Sequence, residues 1–404
     1  MNEPLHNQIP LDEALQIVDD TVAPLTGSEL VSVTDALGRR AAADQTSRLD
    51  LPPFNKSAMD GFAVLSGDDR ECYRLLETVP AGSVARSALT PGTTIKVMTG
   101  APVPEGAGRV IIQELAEEAD GVVRVRSHDC SPNICLKGED VRVGDTVLHA
   151  GTMIGPVEIA NLVACGIDRL EAARRVRVYV ISTGDEIVSR PGDLAPGKIM
   201  NSNGPMLAAL ASEAGMEVIS EEAVPDDRAA TAAAIRRGVE AADMVVLSGG
   251  VSAGEFDFVI GALGDAGLQV RFARLLVQPG KPTVYAASLG KYAFALSGNP
   301  VSVFLMWHVF VLRAAAAMQG GRSERRAVRL PLAADYRRRR ADRLAFVPAK
   351  LTEAGTVEVI EYHGSAHLAA LMQADGFVAI PIRVVELRAG EEVRFMPIAR
   401  FARW

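Results

Sequence analysis

From Arg174 onward the sequence repeats one pattern, and no other feature limits the fold as strongly. "RVRVYVIS" is an apolar, β-branched run that ends in the turn "TGDE". "GPMLAALASEAGM" follows with helical apolar spacing and stops at Gly215. "EVISEEAV", "RAATAAAIRRGVEAA", "MVVLSGG" and "EFDFVIGALGDAG" then alternate as strand, helix, strand and helix. Consecutive strands joined by helix-length connections pair in parallel, so the segment to about residue 318 predicts a parallel sheet flanked by helices. Ligands of such sheets bind beyond the carboxyl ends of the strands. The glycine-rich turns "STGDE", "LSGGVSAGE", "VQPGKP" and "LSGNPVS" all fall at those ends.

The flanking regions read differently. A helical start, "LDEALQIVDDTVAPL", precedes short alternating pieces such as "TTIKVMTGAPVPEGAGRVIIQE" and "GVVRVRS", punctuated by proline and glycine, which predict a small β-rich unit over about 54–139. "IGPVEIANLVACGIDRL" has helical spacing with Pro156 near its first turn, where proline is tolerated. Nine arginines fall between Arg322 and Arg343, and they suit a solvated linker and an edge strand whose charge resists aggregation. "TVEVIEYH", "GFVAIPIRV" and "EEVRFMPI" alternate with period two and predict a small C-terminal β domain. The expected organisation is a multidomain α/β plus β chain, divided at 1–172, 173–320 and 321–404.

Composition narrows the function. A net charge of −8 excludes the global basic surface that grips nucleic acid. The N-terminus is polar and acidic, without the profile of a secretory leader. The longest apolar run, "NPVSVFLMWHVFVLRAAAAM", carries His308 and Arg313 and suits a buried helix better than a membrane span. A soluble cytoplasmic protein is expected. Cys72, Cys130, Cys135 and Cys165 lack zinc-site spacing and read as reduced thiols, and His308 reads as a core residue.

The turns combine opposite tendencies. "LSGNPVSVF" sets a tight turn before a helix start, whose free N–H groups suit an oxyanion, and "QPGKP" adds Lys281 as a point charge. "LSGGVSAGEFDF" packs three glycines and two serines, which suit an anion, beside Glu255 and Asp257, which repel one. Locally, Asp226 reads equally as a helix cap and Asp140 as a plain turn acid.

Nine segments together resemble one family: "FNKSAMDGFAV", "VMTGAPVPEGA", "KGEDV", "STGDEI", "NSNGPML", "VPDD", "SGGVSAGEFDF", "QPGKP" and "SGNPVS". In this order, over nearly the whole chain, they are similar to the molybdopterin molybdenumtransferases (MoeA and the E domain of gephyrin). The middle segment also resembles the smaller MogA-type adenylyltransferases. The resemblance implies a central MogA-like sheet domain, a β-rich N-terminal domain and a small β-barrel-like C-terminal domain. It implies insertion of molybdate into adenylylated molybdopterin with release of AMP, a magnesium ion, and a homodimer whose sites combine residues of both subunits. Partners implied are the adenylyltransferase and acceptor apo-molybdoenzymes, with neither nucleic acid nor membrane. A non-catalytic pterin-binding scaffold and an adenylyltransferase are the alternatives.

Carried over residue by residue, the resemblance implies Asp60, Asp140, Glu186, Asp226 and Asp257 as functional acids, with Glu186 and Asp257 nearest the cation. It implies substrate contacts at Thr99, Lys137, Ser182, Thr183, Gly184, Gly249, Gly250, Ser252, Lys281, Ser297, Gly298, Asn299, Pro300, Arg343 and Ser365. A phosphorylated substrate that arrives with a cation reconciles the glycines and acids of one turn. The chain departs from the family at Gly108 and Arg109, at Cys135 and Leu136 ahead of Lys137, at Gln278 and at Pro348. Positive charge for oxyanions is thereby reduced, with Arg109 as one candidate to restore it.

Overall fold

The computed structural model describes residues 7–127, 131–251, 256–321 and 327–398, with backbone alone for 256–258. They form two compact units. One contains Leu30–Leu37 and Ala41–Ala172; the other contains the described residues up to Glu29, Gly38–Arg40, and those from Ala173 on.

In the first unit a six-stranded sheet runs in the order Ala107–Ile112, Gly61–Leu65, Thr93–Val97, Cys72–Val79, Val122–Val125 and Ala116–Ala119. Alternation buries both faces: Ala63, Ile95, Val97 and Val110 pack on one, and Phe62, Val64, Tyr73 and Val123 on the other. Gly61 is required by close approach, because a Cβ there would meet the Ile111 carbonyl at 2.2 Å. A separate small core forms around the helix Pro156–Ala164, which Pro156 opens and whose Glu158 carboxylate accepts the Gly155 N–H at 3.0 Å.

The second unit contains the expected sheet, in the order Glu217–Val224, Arg177–Thr183, Met244–Ser248, Lys291–Leu296, Pro282–Ser288 and Gln269–Arg274. The first four strands are parallel. The last two extend the sheet antiparallel through a hairpin whose turn residues, Leu289 and Gly290, have φ of 51° and 76°. A two-residue turn with positive φ matches the twist of paired strands, which is why no helix intervenes here. Val178, Val180, Val246 and Phe294 face the helices Leu11–Thr21, Asn203–Glu213 and Pro300–Met318. Tyr179, Ile181, Val245 and Ala295 face Arg228–Ala241 and Phe256–Asp265.

The helix Pro300–Met318 is long and apolar enough to cross a membrane, yet 78% of its most apolar window is buried inside the protein. His308 is buried within it, edge-on to Phe304 at 4.4 Å. The remaining chain forms a sheet in the order Val277–Gln278, Leu344–Leu351, Gly376–Ile380, Glu392–Pro397 and Val328–Pro331. The arginine-rich segment thus leads into an edge strand, as its charge suggests. Cys72, Cys135 and Cys165 are free thiols, and Cys130 lies outside the described residues.

Candidate active site at the strand ends

Parallel pairing brings the predicted turns together. Ser182 pairs in register with Ser248, and Ser248 with Leu296, so "STGDE", "SGG" and "SGNP" emerge side by side. The start of the helix Asn203–Glu213 closes the cleft. Asn203 Nδ2 donates to Ser248 Oγ and to the Gly298 carbonyl, both at 2.7 Å. A Cβ on Gly249 (φ 97°) would meet the Thr183 carbonyl at 2.3 Å, so glycine is obligatory there. Ser182, Thr183, Ser248 and Ser297 are all buried.

Several expected anion donors are already committed. The Gly184 N–H donates to the Val224 carbonyl at 3.3 Å and the Gly249 N–H to the Leu296 carbonyl at 3.1 Å. The Asn299 N–H donates to Ser297 Oγ at 3.3 Å. Of the turn amides expected to hold an oxyanion, Gly250 and Gly298 have no protein acceptor among the described residues. Pro300 opens its helix without an N–H to give. The cradle expected from these glycines is therefore smaller than the turn sequences suggest. Ser252 lies outside the described residues, as does the side chain of Asp257.

The acids sort themselves by geometry. Asp227, not Asp226, caps the helix Arg228–Ala241, accepting the Ala230 N–H at 2.7 Å. The capping reading of Asp226 is corrected accordingly. Asp226 instead pairs reciprocally with Asp185: each backbone N–H donates to the other's carboxylate, at 3.1 and 3.3 Å. Asp226 Oδ1 is buried and has no partner among the described residues. Sequence reasoning did not single out Asp185, although "GDE" displays it. Glu186 is exposed at the mouth, and its carboxylate folds back over Gly184 closely enough that a Cβ on that glycine would meet it at 2.6 Å. No group of three or more metal-ligating side chains occurs among the described residues. Asp226 and Glu186 offer hard carboxylate oxygens of the kind a divalent cation takes, and Asp226 Oδ1 has no partner among the described residues.

On the same unit the "QPGKP" turn lies beside the C-terminal sheet, because Val277 and Gln278 pair with Leu344 and Ala345. Arg343 immediately precedes that pairing and contacts Asp342 at 3.3 Å. Lys281 is half-buried, and its ammonium has no ion pair among the described residues. Ser365 reaches the "SGNP" helix, its carbonyl accepting the Val301 N–H at 3.0 Å. A cavity of about 410 Å³ opens next to Gln278, lined also by Arg338, Arg339, Arg340, His363 and Gly364. Arg338 donates to the carbonyls of Val384, Arg343 and Pro381, leaving Arg339 and Arg340 as the cations facing the side where Gln278 stands.

Asp60, Thr99, Lys137 and Asp140 belong to the other unit. Thr99 was expected to hold an oxyanion, but its N–H and hydroxyl both donate to Asp60 Oδ1 at 2.7 Å. These two bonds hold the Asp60 carboxyl below the usual carboxylate range. Lys137 lies 3.4 Å from Asp50. Asp140 is exposed, and its N–H donates to the Leu51 carbonyl at 3.0 Å. Arg109, the candidate to restore charge for oxyanions, pairs with Asp69 at 2.9 Å.

Fold and strand-end turns together define a class: a multidomain protein whose parallel sheet gathers acids, hydroxyls and tight glycine turns at the carboxyl ends of its strands. Comparison with known proteins makes this specific. Residues 9–166 match the model of the MoeA N-terminal region (domain I and II), 179–317 a probable molybdopterin binding domain, and 329–398 the MoeA C-terminal region (domain IV). The molybdopterin molybdenumtransferase of Staphylococcus aureus is 32% identical over 398 residues, covering 96% of this chain and 95% of the relative. That of Staphylococcus epidermidis is 32% identical over 374 residues, covering 90% and 89%. The molybdopterin biosynthesis MoeA protein from Pyrococcus horikoshii superposes with a TM-score of 0.82 at 31% identity, covering 97% of this chain and all of that one. The chain belongs to the MoeA family of molybdopterin molybdenumtransferases.

Proposed function

We propose that the chain inserts molybdate into adenylylated molybdopterin, cleaving the phosphoanhydride so that AMP leaves. The observation that carries this reading is Asp226: freed from capping by Asp227, it holds an unpartnered buried carboxylate oxygen at the strand ends, next to Asp185. On this reading Asp226, Glu186 and Asp257 hold magnesium, with Glu186 and Asp257 closest. When bound, that ion would neutralise charge on the phosphates. Lys281, Arg343 and the Ser365 turn hold the oxyanion, with Arg339 and Arg340 supplying charge where Gln278 supplies none. Asp60 acts as a carboxylate kept ionised by Thr99, with Asp140 and Lys137 completing its part of the reaction. Residues 173–320 then form the pterin-binding domain and 321–404 the C-terminal β domain.

The protein works as a homodimer in the cytoplasm, receives its substrate from an adenylyltransferase and delivers the cofactor to apo-molybdoenzymes. The test is incubation of purified protein with adenylylated molybdopterin, magnesium and molybdate. Molybdate-dependent AMP release, together with reconstitution of an apo-molybdoenzyme, is expected. Absence of both sinks the proposal, and a monomer by light scattering sinks its quaternary part.

A further inference from the structure

Among the unpartnered polar atoms at the strand ends, one hydrogen-bond acceptor has a settled orientation. Asn203 Nδ2 lies 2.7 Å from the Gly298 carbonyl, which can only accept, so the amide nitrogen must face it. The second bond, to Ser248 Oγ at 2.7 Å, holds the same rotamer. Asn203 Oδ1 therefore points the other way, buried and without a partner among the described residues. Ser182 Oγ and Thr183 Oγ1 are likewise buried and unpartnered, on residues 2% and 5% exposed. Consecutive strand residues face opposite sides of the sheet, so of these two hydroxyls only Ser182 Oγ lies on the side of the helix that Asn203 begins. A Cβ on Gly204, the neighbour of Asn203, would lie 2.9 Å from Ser182 Oγ, and one on Gly249 would lie 2.7 Å from Thr183 Oγ1.

A phosphate or molybdate oxygen set against Asn203 Oδ1 would place lone pairs against lone pairs. Three of the amides that could have offset this, those of Gly184, Gly249 and Asn299, already donate within the protein. A buried acceptor left unmatched carries its full desolvation cost, whereas a ligand N–H or O–H removes that cost. The Ser182 hydroxyl can follow either way, since a hydroxyl both donates and accepts. Only Asn203 is committed.

We propose that Asn203 is a substrate-reading residue, whose Oδ1 accepts a hydrogen bond from an N–H or O–H of the ligand. The portion of ligand seated there is a donor-bearing edge, a pterin ring N–H or amino group or a ribose hydroxyl, and the phosphates lie elsewhere. This rests on the reading that the cleft takes adenylylated molybdopterin, and it specifies which chemical face of that substrate the helix start recognises.

The test is calorimetric binding to the full chain of AMP, 2′-deoxy-AMP and 3′-deoxy-AMP, and of a 6-substituted pterin with its N3-methyl and 2-deamino analogues. In the wild type, deletion of one donor weakens binding about tenfold or more, as expected where a site is built to bond that group. The ribose or pterin series that shows the loss identifies the donor. In Asn203→Ala that penalty disappears, while Ser248→Ala, which removes one anchor of the amide but leaves Oδ1, retains it. A donor-deletion penalty below about threefold for every analogue on the wild type overturns the proposal, and decides the matter alone if Asn203→Ala does not fold. A penalty equal in wild type and Asn203→Ala also overturns it. Loss of molybdate-dependent AMP release by the wild type would refute the transferase reading while leaving these binding couplings intact. Intact AMP release with no coupling refutes only the role of Asn203.

Discussion

Asp226 and Asp227 show how much one position decides. The two adjacent acids differ because Asp227 accepts the Ala230 N–H, leaving Asp226 to turn toward Asp185. Asp227→Ala should therefore cost about 1 kcal/mol of stability in urea unfolding while AMP release persists. Asp226→Asn should leave the unfolding midpoint nearly unchanged and abolish AMP release. At Asp60 the two Thr99 bonds depress the carboxyl pKa. Their stabilising contribution is thus present above the ordinary aspartate range and is lost as pH falls through the lowered folded value. Thr99→Val removes the hydroxyl donor, and the acidic limb of the rate–pH profile should move to higher pH. A limb that stays in place would separate Asp60 from the rate. Neither relation could be read from "VPDD" or "SAMDG", because each depends on a partner about forty residues away.

Among the elements, the parallel strands were legible because burial on both faces leaves a continuous apolar run bounded by glycine. The hairpin at Leu289 and Gly290 was not. Its turn needs positive φ at a leucine, a residue that gives no such signal. Asn203 was hidden for a related reason: its amide is oriented by residues 45 and 95 positions further along the chain. The glycines do mark tight turns, but sequence could not show that the Gly184 and Gly249 amides are already bonded at the strand ends. Where the strands begin, Asp243 accepts a fork of bonds from Arg174 at 2.6 and 2.9 Å and the Arg177 N–H at 2.9 Å. Burial pushes the Asp243 carboxyl up, but these bonds outweigh it and hold the group low. Asp243→Ala would leave Arg174 partly buried without its partner, and should cost about 3 kcal/mol in chemical unfolding. In the wild type this contribution is present above the ordinary aspartate range and fades as pH drops through the lowered value.

At the scale of the whole molecule, one core joins the first helix, the parallel sheet and the C-terminal sheet. Ala14 and Val18, Val178 and Val246, and Phe346, Phe377 and Ile398 all belong to it. The N-terminal strap adds Ile9, whose N–H donates to the Arg274 carbonyl at 3.0 Å, and Thr21, bonded to the Tyr285 hydroxyl at 2.7 Å. Calorimetry should accordingly resolve at most two unfolding transitions, one for each compact unit, although three family segments match the chain. A third transition assignable to residues 329–398 would contradict this. Single-chain periodicity revealed the separate sheets but not their shared interior, because pattern reports which face is apolar and not what covers it.

The helix Pro300–Met318 has a consequence for how the chain is made. Part of the core it belongs to, including Leu371, Phe377 and Ile398, is synthesised up to about eighty residues later. At ribosomal speeds of about 5–20 residues per second, the helix waits several seconds with that core incomplete. During that interval it offers a nascent segment with the length and mean hydropathy of a membrane anchor. Released chains truncated shortly after residue 320 should therefore be retained by chaperones, whereas chains extended past Ile398 should escape that fate.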